Sequence, residues 1–220
     1  MCGRFTLTAD TGALAEALPG VEMPDSLAPR YNIAPTQSVA VVCNTKPLKV
    51  EFLHWGLIPH WAKDPAIGHK MINARAETLA EKPSFRESFR KRRCLILADG
   101  FYEWKKTPSG KVPMYIRLKT GRPFAFAGLW DVWRSGSEEI QSCTIITTTS
   151  NEFVAEIHDR MPVILSPADY SKWLAPGDKP PDSLPLLTPY ASEEMTAYRV
   201  SPKVNDPKAD GPECISPTSY

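Results

Sequence analysis

CLILADGFYEWKKTPSGKVPMYIRLKTGRPFAFAGL, Cys94–Leu129, is the stretch on which the fold turns. It holds three runs rich in β-branched, aliphatic and aromatic residues, Cys94–Asp99, Val112–Leu118 and Phe124–Leu129, each short enough to be a strand. Pro108-Ser109-Gly110 and Thr120-Gly121-Arg122 are hairpin signals between consecutive strands, so the stretch predicts mainly antiparallel pairing. Working outward, Ser38–Cys43, Val50–Trp55 and Ile140–Thr149 have the same makeup. Helical signals are fewer: Thr11–Leu18, a piece around Ser84–Arg93, and Pro167–Leu174, where Ser166 can cap and Pro167 suits the first turn. The mixture predicts an α+β fold. Prolines, 22 in all, lie in connections, especially in Pro176–Pro189 and Pro202–Pro217, which predicts long connections and no clean domain boundary.

A chain of 220 residues with 42% hydrophobic and 23% charged residues can bury one sizeable core, so a single domain over 1–220 is expected, with a Pro-rich tail from about 207. The net charge of +1 advertises no acidic partner, and any nucleic-acid site must be a local patch. No apolar run approaches the roughly 20 residues of a spanning helix, and the N-terminus lacks the marks of a signal peptide. An intracellular, cytoplasmic protein with no membrane partner is expected. The five cysteines, Cys2, Cys43, Cys94, Cys143 and Cys214, are odd in number and widely spaced, which suits reduced thiols. With no CxxC pair, and with His54, His60, His69 and His158 at no zinc-ligand spacing, neither metal nor cofactor is expected.

Four constellations carry chemistry. In Met1–Phe5, MCGRF, the small second residue allows removal of Met1, which would leave Cys2 with a free α-amine beside its thiol. Such an aminothiol adds its amine to an aldehyde and then closes its sulfur on the same carbon, giving a thiazolidine. An α-amine has a reference pKa of about 7.7–8.0, so a useful fraction is nucleophilic near neutrality. With Met1 in place the aminothiol does not exist. A buried, inert thiol is the competing reading of Cys2.

In Ala98–Lys106, ADGFYEWKK, Glu103 stands between Tyr102 and Trp104, and desolvation there would raise its pKa toward proton shuttling. The bland alternative is a surface glutamate facing Lys105 or Lys106. In Glu156–Pro162, EIHDRMP, His158 can act as acid or base and Arg160 can hold a phosphate. A satisfied structural histidine is the alternative. In Met71–Thr78, MINARAET, an extended backbone would point Asn73 and Arg75 the same way. A helix cap at Asn73 competes with that. Two weaker hints concern nucleic acid: the basic run Phe85–Cys94, with Arg86, Arg90, Lys91, Arg92 and Arg93, whose alternative is the solvated end of a helix, and the exposed-loop aromatics of Trp55–Trp61, WGLIPHW.

Together MCGRF, RYNIAPT (Arg30–Thr36), WGLIPHW, INARAET, ADGFYEW, IHDRMP and VSPKVND (Val200–Asp206) resemble the SOS response-associated peptidase family, the SRAP domain, in family order and over nearly the whole chain. The resemblance implies a barrel-like antiparallel core and a groove for single-stranded DNA, with recognition of abasic sites and covalent attachment to them. It implies that Cys2 is the nucleophile, that Asn73 positions the N-terminus and sugar, that Glu103 transfers protons and that His158 assists sugar-ring opening. Arg4, Arg75 and Arg160 fall at positions that grip phosphates, and Pro35 and Trp61 where the family wedges or stacks on bases. Some members carry two adjacent aromatics in the wedge, whereas Ala62 follows Trp61 here. A self-consuming trap needs no protein partner, so a monomer is expected.

Three rival functions remain open from the sequence. An N-terminal-nucleophile amidohydrolase would use the thiol on an amide and release ammonia from glutamine. A peptidase could be limited to removing the residue before Cys2. A non-covalent single-strand binder would let go in high salt, which a crosslink would not.

Overall fold

The computed structural model describes residues 2–177 and 184–218. The strands are β1 (Phe5–Leu7), β2 (Arg30–Ile33), β3 (Ser38–Cys43), β4 (Val50–Trp55), β5 (Asn73–Arg75), β6 (Arg93–Ala98), β7 (Gly100–Thr107), β8 (Gly110–Leu118), β9 (Phe124–Ser135), β10 (Glu138–Thr149), β11 (Arg160–Pro162), β12 (Ile164–Leu165) and β13 (Met195–Arg199). Four short helices, α1 (Thr11–Ala17), α2 (Arg86–Lys91), α3 (Glu152–Ala155) and α4 (Tyr170–Trp173), flank them among the described residues.

Strands β10, β4, β3, β6 and β9 follow one another and β9 returns to β10, so the ring closes into a barrel without an edge. Its pairings are antiparallel except β4 with β10. A second sheet runs β13-β8-β7-β1-β2. The two share one core, where Phe5 meets Trp55 and Phe126 edge-on at 5.1 and 5.7 Å and Phe101 meets Phe126 at 6.1 Å. Removing a buried ring such as that of Phe5 costs about 3–5 kcal/mol. The fold is therefore α+β and mainly antiparallel, as the sequence predicts.

Two local expectations need correction. Asp99-Gly100 reads as the end of a strand, yet the chain continues as β7 and passes directly from the barrel to the second sheet. The Asp99 carboxylate holds that step by accepting from Thr8 N, Ala9 N and the Thr6 and Thr8 hydroxyls. Glycine is required at 100 because a Cβ would lie 2.2 Å from the Tyr115 hydroxyl. The second correction concerns Thr120-Gly121-Arg122, which is no hairpin: β8 pairs with β7 and β13, while β9 pairs with barrel strands. Hairpins do form at Pro108-Ser109 and at Gly136.

Residues 202–218 strap the second sheet. Asp210 accepts from the backbone of Tyr31 (2.6 Å) and Asn32 (2.8 Å) and pairs with Arg30. Among the described residues no helix is long and apolar enough to cross a membrane, and no group of three or more His, Cys, Asp or Glu is placed to hold a metal ion.

Candidate functional site

The N-terminus is fixed because β1 lies between β2 and β7. Tyr102 N donates to Arg4 O (3.0 Å), and Cys2 just ahead is fully buried. From the barrel side, Asn73 Nδ2 donates to Cys2 O at 2.8 Å. Asn73 opens β5, so the extended reading holds and it caps no helix.

Glu103 lies on β7 and is 3% exposed. Alternation along the strand puts it on the face of Phe101, toward the barrel. Tyr102 and Trp104 take the other face, in a small cluster with Tyr115, Val200 and Val204. The aromatic neighbours in sequence are therefore not what desolvates the carboxyl; enclosure between the two sheets is. Burial pushes its pKa up to about 7.

His158 follows α3, which Asn151 caps by accepting from Val154 N at 2.7 Å. Its Nε2 lies 3.9 Å from Glu103 Oε2, while Arg160 N donates to Nδ1 at 3.1 Å and Asp159 Oδ1 lies 3.0 Å from the same nitrogen. Burial lowers the imidazole pKa, with Asp159 acting against it. Cys2, Asn73, Glu103 and His158, from four remote segments, therefore form one cluster. The Cys2 thiol pKa is pushed up by burial first and then by Glu103. The cluster can hold a neutral thiol beside a carboxyl poised to give or take a proton near neutrality.

Strand β10 sets out the next residues. Its Ile145 stands opposite Asn73, Thr147 opposite Arg75 and Thr149 opposite Arg160. Arg75 is exposed; Arg160 is bonded to Glu77 and to Thr147 O. Arg4 is half-buried, its Nη1 donating to Asn32 Oδ1 (2.8 Å) and Val204 O (2.7 Å). Neither Asn32 nor Glu77 stands out in the sequence, although both lie inside motifs, because their partners are 172 and 83 residues away.

Pro35 precedes Thr36, whose φ of 72° is left-handed, and Thr36 N donates to Trp55 O at 2.8 Å, where the loop bearing Trp61 departs. Trp61 is 51% exposed beside a cleft of about 550 Å³ lined by Lys63, Ile67 and Lys70. Trp55 is not an exposed-loop aromatic: it is fully buried, its indole donating to Ile72 O. Arg93 likewise is no nucleic-acid contact, since it is 1% exposed with its guanidinium on the carbonyls of Phe89, Arg90, Trp173 and Ala175.

The family model described as SOS response associated peptidase (SRAP) matches residues 1–207. The chain belongs to this family. Abasic site processing protein YoqW of Bacillus subtilis is 48% identical to this SRAP chain, over 98% of it and 99% of its own length. Abasic site processing protein YoaM of the same organism is 46% identical over the whole of both. Abasic site processing protein HMCES of Xenopus tropicalis is 34% identical over 87% of this chain and 67% of its own. The crystal structure of a protein from Bacteroides thetaiotaomicron shares the SRAP fold with a TM-score of 0.89 at 29% identity, covering 99% of this chain and all of that one.

Proposed function

We propose that this protein recognises abasic sites in single-stranded DNA and, once Met1 is removed, traps them covalently through Cys2. The observation that carries the reading is the cluster of Cys2 with Asn73, Glu103 and His158, because an aldehyde trap needs an aminothiol and a proton relay at one point. Kinship with several abasic site processing proteins supports the same substrate.

His158 assists opening of the sugar hemiacetal to the aldehyde. The Cys2 amine adds to that carbon, and Glu103 in its protonated form helps the hydroxyl leave as water, giving the Schiff base. The thiol then adds to the same carbon, its proton passing to the Glu103 carboxylate, and the thiazolidine closes with net loss of one water. Asn73 holds the Cys2 carbonyl so that the amine faces the sugar. Arg4, Arg75 and Arg160 act on phosphates, while Pro35 and Trp61 act on the bases beside the lesion. The protein works as a monomer, and the peptidase activity in the family name is read as limited to release of Met1.

The test is the intact mass of Met1-processed protein after incubation with a single-stranded oligonucleotide bearing one abasic site. A denaturant-stable adduct equal to protein plus DNA less one water is expected, absent with Cys2→Ala and with undamaged strand. No adduct, with Met1 shown to be gone, would overturn the reading.

A further inference from the structure

The Arg160 guanidinium is already engaged. Its Nη1 donates to Glu77 Oε1 at 2.6 Å and its Nη2 to Glu77 Oε2 at 3.0 Å, two parallel bonds to one carboxylate. Nη2 also donates to Thr147 O at 2.8 Å, which ties the arginine to β10 independently of the glutamate. This fork-to-fork arrangement is the one by which arginine also takes two oxygens of a phosphate. The two partners differ in exposure: the Arg160 side chain is 13% exposed and that of Glu77 is 47%. The carboxylate can therefore swing into solvent while the guanidinium stays where it is. Arg160 first, and Arg75 in addition, hold the Glu77 carboxyl below the usual carboxylate range, so it stays ionised at neutral pH.

We infer that Glu77 is an internal competitor for the Arg160 clamp: its carboxylate occupies the arginine until a phosphate displaces it, and this exchange weakens the hold on undamaged single strands. The inference rests on Arg160 being a phosphate contact, as proposed above. Its sense is chemical. A protein that retains its target by a covalent bond gains nothing from tight reversible binding, and tight binding would leave it parked on intact strands. A carboxylate that must be displaced at each encounter shortens those visits, while an aldehyde captured by Cys2 is kept regardless.

The test is equilibrium binding of a labelled, undamaged single-stranded oligonucleotide to Met1-processed protein at fixed salt. Wild type is compared with Glu77→Gln, Arg160→Ala, the double variant, and Glu81→Gln, an equal charge change on an exposed glutamate nearby. Glu77→Gln should bind about two- to tenfold tighter, a gain set by one bidentate pair. Glu81→Gln should gain less, Arg160→Ala should bind more weakly, and the Glu77→Gln gain should vanish in the Arg160→Ala background. Unchanged or weaker binding by Glu77→Gln, an equal gain from Glu81→Gln, or a gain that survives without Arg160 would overturn the inference. Wild-type binding by Arg160→Ala would remove its premise. Adduct formation on abasic DNA is read separately by mass, so failure of the covalent reading leaves these binding outcomes intact.

Discussion

At the scale of single residues, Glu103 carries the clearest consequence. A glutamate whose native pKa is raised from the ordinary 4.5 to about 7 favours its protonated form in the folded state. The stability that proton brings is complete below about 4.5 and is lost as pH rises through about 7. Glu103→Gln, permanently neutral, should therefore gain on wild type by about 3 kcal/mol between pH 5 and pH 8 in denaturation experiments. A gain independent of pH would mean that the native carboxyl titrates normally. The same substitution should slow adduct formation on abasic DNA without loss of affinity for the strand and should remove a limb near pH 7 from the rate profile. Crosslinking at the wild-type rate would refute the proton-transfer role.

At the scale of elements, the basic run Phe85–Cys94 divides. Arg86, Arg90 and Lys91 lie on the exposed face of α2, whereas Arg93 opens β6 and turns inward. Its guanidinium joins the end of α2 to the segment after α4 by donating to four carbonyls. Arg93→Ala should cost about 3 kcal/mol or more by urea denaturation, because it strands buried acceptors. Lysine should not rescue it, since an ammonium cannot reproduce the planar fork. The salt dependence of DNA binding by the folded variant should match wild type, and a reduced slope would assign Arg93 to phosphate after all. The run was legible as basic, but a charge count does not say which arginine faces water.

At the scale of the whole molecule, the strap from Pro202 onward holds the strand that bears the N-terminus. Asn32 Nδ2 reaches Val204 O, Asp206 O and Ala209 O, Arg4 bridges Asn32 and Val204, and Asp210 caps the backbone of Tyr31 and Asn32. Asp210→Ala removes those last two caps and the carboxylate partner of Arg30, whose guanidinium keeps only its bond to Gln37 among the described residues. It should lower stability by about 2–4 kcal/mol in chemical denaturation and slow adduct formation, although residue 210 lies far from Cys2 in sequence. An unchanged rate at full folding would show that β1 is held without the strap.

The sequence by itself determined the long strands and the α+β class, because strand periodicity is local, and it supplied the thiol, amide, carboxyl and imidazole of the candidate cluster without placing them together. The short strands β1, β2 and β11 were not legible, since three or four residues carry too little periodicity to read. Tertiary structure alone decided that Glu103 is enclosed between the two sheets, that Arg93 and Trp55 are interior, and that Arg160 is held by Glu77. Each of these depends on what a remote segment brings alongside. Asn73 meets Cys2 across 71 residues and Arg4 meets Val204 across 200, and the desolvation that tunes Glu103 arises only once two sheets have closed over it.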